Sequence, residues 1–93
     1  MITVNEACKI AIDNFVKKDY LRGVAEVVDI GDRWLFFSRF SEEPGVEYGN
    51  CPYAVNKETG ECKEFPISII ENFELYYNSD PVYPSEIRDE YKL

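Results

Sequence analysis

The segment from residue 24 to residue 40 constrains the fold more than any other part of the chain. Val24 to Ile30 is rich in β-branched residues, Gly31-Asp32 is a two-residue turn signal, and the residues from Trp34 to Phe40 are largely aromatic. β-branched and aromatic side chains favour the pleated surface of a strand, and a glycine-containing pair between two such runs is typical of a hairpin turn. The segment therefore predicts a β-hairpin.

The register of this hairpin decides which side chains share a face. If the turn consists of its two residues alone, Val27 pairs with Phe36. One face would then carry Ala25, Val27, Trp34 and Phe36, and the other would carry Val24, Val28, Leu35 and Phe37. Both faces of the second strand are apolar, which a strand covered on one side only does not need. We expect either a central strand with chain packed on both faces, or a strand whose second face is a binding surface.

An amphipathic helix is predicted before the hairpin. Thr3 followed by Glu6 has the form of a capping box, in which each residue satisfies a backbone amide that the first helical turn leaves unpaired. Apolar residues recur behind it at spacings of three and four, which is typical of a helix with one buried side. The pattern predicts that this helix ends near Lys18.

A second hairpin and a second helix follow. Residues 53–65 contain two short strand patterns around Asn56 to Gly60, where an Asx-type turn and a glycine can close the loop. Ser68 with Glu71 repeats the capping-box form, and a second amphipathic helix is predicted to follow and to end at Asn78-Ser79-Asp80-Pro81. Its apolar side is predicted to consist of Ile69, Ile70, Phe73, Tyr76 and Tyr77.

The order of elements predicts an α+β fold: a four-stranded antiparallel sheet from two hairpins, with an N-terminal helix packed on one face and a C-terminal helix. The 93 residues suit a single domain over residues 1–93, with a core over 1–78 and a C-terminal tail over 79–93. The chain has no apolar run of membrane-spanning length, and its first residues lack the pattern of a secretory signal, so we expect a cytoplasmic protein.

The charge of the chain favours some partners over others. Its net charge is −8, and residues 58–93 hold nine acidic residues against three basic ones. Such a field repels nucleic acid and anionic membrane surfaces, and it speeds encounters with basic partners. We therefore expect neither nucleic acid nor a membrane as a partner.

Catalytic and metal-binding patterns are missing from the sequence. The chain has no histidine, which excludes the commonest general base and the Ser-His and Cys-His nucleophile systems. Cys8, Cys51 and Cys62 are an odd number at no zinc-like spacing, and no glycine-rich phosphate loop or EF-hand loop is present. We expect no enzymatic activity, no metal and no cofactor, and cysteines with a mostly structural role.

Three motifs, in a fixed order along the chain, resemble those of a known protein family. They are a strand with Trp34 and Phe36, the step Gly49-Asn50 with Pro52 and Val55, and a hairpin turn with Thr59 and Gly60. Together with the N-terminal helix, they make residues 1–78 resemble the YrhB-like immunity-protein family of bacterial polymorphic-toxin systems. The resemblance implies a small cytoplasmic α+β protein that binds and neutralises a cognate toxin encoded beside it, without a cofactor or a catalytic residue. The matching positions are expected to be mostly fold determinants.

We therefore expect an immunity protein that blocks a toxin domain by stoichiometric binding. Exposed acids next to aromatic residues mark the candidate partner-binding residues, because tyrosine is common in interface hot spots and carboxylates steer basic surfaces. These candidates are Glu42, Glu43, Glu47, Tyr48, Glu74, Tyr76, Tyr77 and Tyr83. The alternative is a self-associating structural or chaperone-like homodimer, in which the second face of the sheet pairs with itself.

Overall fold

The protein forms one antiparallel sheet with a helix on each face. The computed structural model describes residues 1–16, 23–38 and 51–92. In chain order the elements are α1 (Val4–Val16), β1 (Glu26–Asp29), β2 (Arg33–Phe37), β3 (Tyr53–Asn56), β4 (Cys62–Glu64), α2 (Ile70–Tyr77), β5 (Asp80–Pro81) and two 3₁₀ turns, Pro84–Glu86 and Asp89–Tyr91. The strands lie in the order β4-β3-β2-β1-β5, and all neighbouring pairs are antiparallel. The predicted α+β class is confirmed.

The predicted count of four strands is wrong, because β5 adds a fifth at the edge of the sheet. Asp80 and Pro81 pair with Asp29 and Val28 of β1. Two residues are too few to show the alternation by which a strand is recognised in a sequence. Proline also lacks the amide that a central ladder requires, so Pro81 fits only at an edge.

The predicted register of the first hairpin is confirmed. Val27 pairs with Phe36, and Asp29 Oδ1 accepts a hydrogen bond of 2.8 Å from the amide of Gly31 in the turn. The placement of Val24 on the opposite face from Val27 is wrong, because both belong to the same buried cluster. The strand begins only at Glu26, so its alternation does not extend back to Val24.

Strand β2 has buried apolar residues on both faces, as a central strand requires. On the α1 face, the buried cluster contains Ala7, Cys8, Ala11, Ile12 and Phe15 of the helix and Val27, Phe36, Tyr53 and Val55 of the sheet. On the α2 face, the cluster contains Val28, Leu35, Phe37, Ala54 and Phe65. The first of the two expectations for this strand, chain packed on both faces, is confirmed; residues 39 and 40 of its predicted length lie outside the described residues.

The capping box at the start of α1 is present as predicted. The amide of Thr3 donates to Glu6 Oε1 at 3.0 Å, and the amide of Glu6 donates to Thr3 Oγ1 at 3.1 Å. The predicted end near Lys18 lies outside the described residues. Within the described part of the chain, no helix has the length and apolar character needed to cross a membrane.

Residues 82–92, which the sequence suggested as part of a tail, pack along β1 and α1. The side chain of Asn5 holds this segment twice: its amide nitrogen donates to the carbonyl of Glu86 at 3.2 Å, and its oxygen accepts from the amide of Arg88 at 2.9 Å. Between these two residues, Ile87 is buried in the α1-face cluster.

Candidate protein-binding face

Helix α2 begins without a side-chain cap. Ile69 occupies the N-cap position with extended backbone, and no side-chain hydrogen bond caps the helix there. The capping box predicted at Ser68 and Glu71 is therefore wrong, because the helix starts one residue too late for Ser68 to cap it. Asn72 instead ties the helix to the preceding chain, since its amide nitrogen donates to the carbonyl of Pro66 at 3.0 Å.

A series of aromatic contacts connects the sheet to the outside of α2. Tyr76 packs against Phe37 of the α2-face cluster, with 5.3 Å between ring centroids. Phe73 lies 6.4 Å from Tyr76, and Tyr77 lies 6.2 Å from Phe73 by the same measure. These distances are in the range of favourable aromatic pairs. Exposed rings on α2 are thus supported by a ring that contacts the core.

Large apolar side chains of α2 are exposed, although the sequence predicted an amphipathic helix with a buried side. One of them is Leu75, with 41% exposed, and the other three are Ile70, Phe73 and Tyr77. Their exposed fractions are 71% for Ile70, 46% for Phe73 and 77% for Tyr77, and no residue of α2 is buried. The spacing i, i+3 and i+7 places them on one side of the helix. We call these three residues the apolar stripe.

Carboxylates lie beside the apolar stripe. Glu71 and Glu74 belong to α2, and Asp80 follows it; the sequence has no lysine or arginine between Lys63 and Arg88. These three acids, which we call the acidic rim, line an open cleft of about 430 Å³. The cleft is also lined by Asp29, Ile30, Gly31, Leu75 and Asn78.

The predicted partner-binding residues fall into three groups. Glu74, Tyr76 and Tyr77 all belong to α2, but Tyr76 is half-buried and faces the sheet, whereas the other two are exposed. Tyr83 lies beyond β5 and is exposed, and its amide donates to Glu86 Oε2 at 2.9 Å. The remaining candidates, Glu42, Glu43, Glu47 and Tyr48, lie outside the described residues.

The residues that carry the family resemblance lie mainly in the core and in turns. Phe36, Pro52 and Val55 are fully buried. Trp34 is half-buried, with the ammonium of Lys57 placed 5.1 Å from its ring centroid.

The two motif residues of the β3–β4 turn shape its backbone. Gly60 has φ of +76°, a conformation that favours glycine. Thr59 Oγ1 accepts a hydrogen bond from the amide of Glu61. The other two motif residues, Gly49 and Asn50, lie outside the described residues.

The thiols of two cysteines are held in their protonated form. Burial raises the pKa of the Cys8 thiol to about 12 and that of the Cys62 thiol to about 11, because a thiolate loses its solvation there. At neutral pH the thiolate, which is the nucleophilic form, is therefore scarce at both cysteines. Among the described residues, no cluster of cysteine, aspartate and glutamate side chains is arranged to hold a metal ion.

Sequence reasoning assigned Ile70 and Phe73 to the packed side of the second helix and so missed them as surface residues. One signal was available. At about 100° per residue, Ile70 and Leu75 lie on well separated sides of the helix, so apolar residues extend around more of its circumference than one sheet face covers.

The chain was compared with protein-family models, with curated proteins and with solved structures, and none of the three comparisons gives a match. The resemblance to the YrhB-like immunity family therefore rests on the quoted residues and stays a prediction.

Proposed function

We propose that this protein is a stoichiometric protein-binding domain whose partner is a toxin domain that it neutralises. The observation that carries the proposal is the apolar stripe, which is exposed on a helix that the Tyr76–Phe37 contact fixes to the core. The identity of the partner as a toxin follows from the family resemblance alone.

The energetics of the apolar stripe favour a protein partner. Full burial of a large apolar side chain contributes about 1.5–3 kcal/mol, and aromatic residues are common among interface hot spots. Ile70 and Tyr77 leave most of this contribution unrealised in the isolated chain. A partner that covers them gains it on binding.

A homodimer that forms through the same face is less favourable than a complex with a different protein. In a two-fold dimer with antiparallel α2 helices, Glu71 and Glu74 of one copy would approach those of the other. In either orientation the second copy brings no lysine or arginine from residues 64–87 to pair with them. The alternative dimer through the second face of the sheet meets a different obstacle, because Leu35 and Phe37 on that face are already buried within the chain.

The proposal is tested by mixing the purified protein with the C-terminal domain of the protein encoded beside it. We expect a 1:1 complex by light scattering and calorimetry, and rescue of growth when both are expressed together. Absence of binding, or a stable dimer of this chain in the absence of a partner, would count against the toxin-neutralising role.

A further inference from the structure

The structure points to the way in which this face is used, given the proposed binding function. We infer that α2 docks as an amphipathic helix into an apolar groove of the partner, and that the wall of this groove beside Glu71, Glu74 and Asp80 carries lysine or arginine. This is one of the recurring modes of protein recognition, in which anchors at i, i+3 and i+7 enter a groove.

The side chains around α2 fall into three groups: the apolar stripe, the sheet-facing Tyr76 and the carboxylates. At about 100° per residue, the apolar stripe occupies an arc of about 60°. Tyr76 lies on one side of this arc and faces the sheet. Glu74 and then Glu71 lie on the other side. A groove that receives the stripe therefore meets the carboxylates along one wall only.

The acidic rim has no basic partner within the described part of the chain. The short ion pair of this region belongs to Asp29, whose two carboxylate oxygens each lie 2.8 Å from Lys57 Nζ. Glu71, Glu74 and Asp80 form no ion pair with a described residue. Their charge is thus available to a cation brought by a partner.

The cleft behind the rim suits a lysine or arginine side chain in particular. Its volume is about 430 Å³, and Ile30 and Leu75 line it together with the carboxylates. Long basic side chains bury an aliphatic stem against apolar surface and leave the charged head among polar groups. The cleft offers surfaces of both kinds.

The charges of the acidic rim disfavour two other candidates for covering the apolar stripe, namely a second copy of the chain and the chain's own residues 39–50. A second copy of the chain offers no lysine or arginine from residues 64–87, and with its α2 antiparallel it would place one acidic rim against another. The chain's own residues 39–50 hold three glutamates and a single arginine. A basic partner gains attraction where both of these meet repulsion.

The test uses a synthetic helical peptide of leucine and lysine as a probe, and a leucine and glutamate peptide of the same pattern as its control. We expect saturable NMR shifts in residues 69–80 with the lysine peptide and none with the glutamate peptide. Ile70→Ser and the pair Glu71→Lys, Glu74→Lys should each weaken binding about tenfold or more, as for hot-spot residues. The matched control is Glu58→Lys with Glu61→Lys, which makes the same change in net charge on the β3–β4 turn and should bind as the original chain does.

Three outcomes would overturn the inference. The shifts could map away from α2, both charge reversals could weaken binding equally, or Ile70→Ser could lower the unfolding temperature by several degrees. The last result would show that the chain itself covers the stripe.

The neighbouring toxin domain separates this inference from the proposed function. If it binds the original chain and the α2 variants equally well, the groove model fails and the function stands. If it does not bind at all while the lysine peptide binds α2, the toxin assignment fails and the docking mode stands.

Discussion

Asparagine side chains join the elements of this fold at several points. Asn5 holds the C-terminal segment, and Asn72 holds the start of α2. Asn56 Oδ1 accepts hydrogen bonds from the amides of Glu58 and Thr59 in the β3–β4 turn, at 2.8 and 3.0 Å. In each case the short asparagine side chain forms hydrogen bonds with backbone groups that are not paired within a helix or strand. Fixing this side chain costs less conformational entropy than fixing a longer one would.

Glu6 is the residue whose charge contributes most clearly to local structure. The hydrogen bonds from Thr3, first from its amide, lower the pKa of the Glu6 carboxyl below its ordinary value of 4.5, because they stabilise the charged form. A carboxylate with a lowered pKa stabilises the folded state above its unfolded pKa. This contribution is lost as the pH falls through the folded value.

We therefore expect Glu6→Gln to be less stable than the original chain near neutral pH, with the difference disappearing on acidification past the lowered pKa. Glutamine retains the reach of the side chain but not its charge. Urea unfolding at a series of pH values measures the effect. Asp13→Asn is the matched control, because this carboxylate of the same helix forms no hydrogen bond with a described residue and its replacement should change stability little near neutral pH. A Glu6→Gln difference that persists at low pH would contradict the capping role.

The two helices are stabilised in different ways. Helix α1 has 13 residues, a complete capping box and several side chains buried against the sheet. Helix α2 has eight residues, no side-chain cap and no buried residue. Isolated helices of this length are marginal in water, so α2 depends on the Tyr76 ring and on Asn72. A helix that leaves its apolar side exposed thus has little stabilisation of its own.

Replacement of Ile69 at the N-cap should stabilise α2. Ile69→Asp supplies a carboxylate that can accept from the free amides of the first turn, and we expect a gain of about 0.5–1 kcal/mol. Hydrogen exchange of the α2 amides measures it. Ile69→Ala removes the same side chain without adding an acceptor and should give no gain in protection. Equal protection in the two variants would mean that capping does not limit the stability of α2.

Local signals predicted some elements well and non-local contacts decided the others. The Val27–Phe36 register followed from a turn of two residues, and the start of α1 followed from Thr3 and Glu6. Strand β5 and the exposure of Ile70 depend on where the chain crosses the sheet after β4, and no local pattern encodes that path. The candidate site was therefore predicted in part: Tyr77 was proposed as a partner contact, whereas Ile70 was assigned to packing.

At the scale of the whole molecule, the sheet has one thoroughly closed side. Helix α1 covers one face, and the C-terminal segment continues this cover along β1. The amide of Val82 donates to the carbonyl of Val27 at 3.1 Å, and the amide of Val24 donates to that of Tyr91 at 2.8 Å. The other face carries the short helix with the apolar stripe. Under the proposed function, this asymmetry separates a stable scaffold from the binding surface.

The closure of the first side depends on the C-terminal segment, so its removal should unfold the domain. A chain that ends at residue 78 loses β5, the buried Ile87 and the hydrogen-bond acceptor of Val24. We expect no cooperative thermal transition by circular dichroism. Ile87→Ala alone should cost about 2–5 kcal/mol, the range for truncation of a buried isoleucine to alanine.

Ser85→Ala serves as the matched control, because Ser85 is exposed in the same segment and should change stability by less than about 0.5 kcal/mol. If the chain ending at residue 78 melts cooperatively near the temperature of the full chain, the core is complete without Ile87, and residues 79–93 form a tail. If it does not, the segment belongs to the scaffold. A partner bound to α2 would then contact a helix that is followed directly by β5, and β5 is paired with β1 at the edge of the sheet.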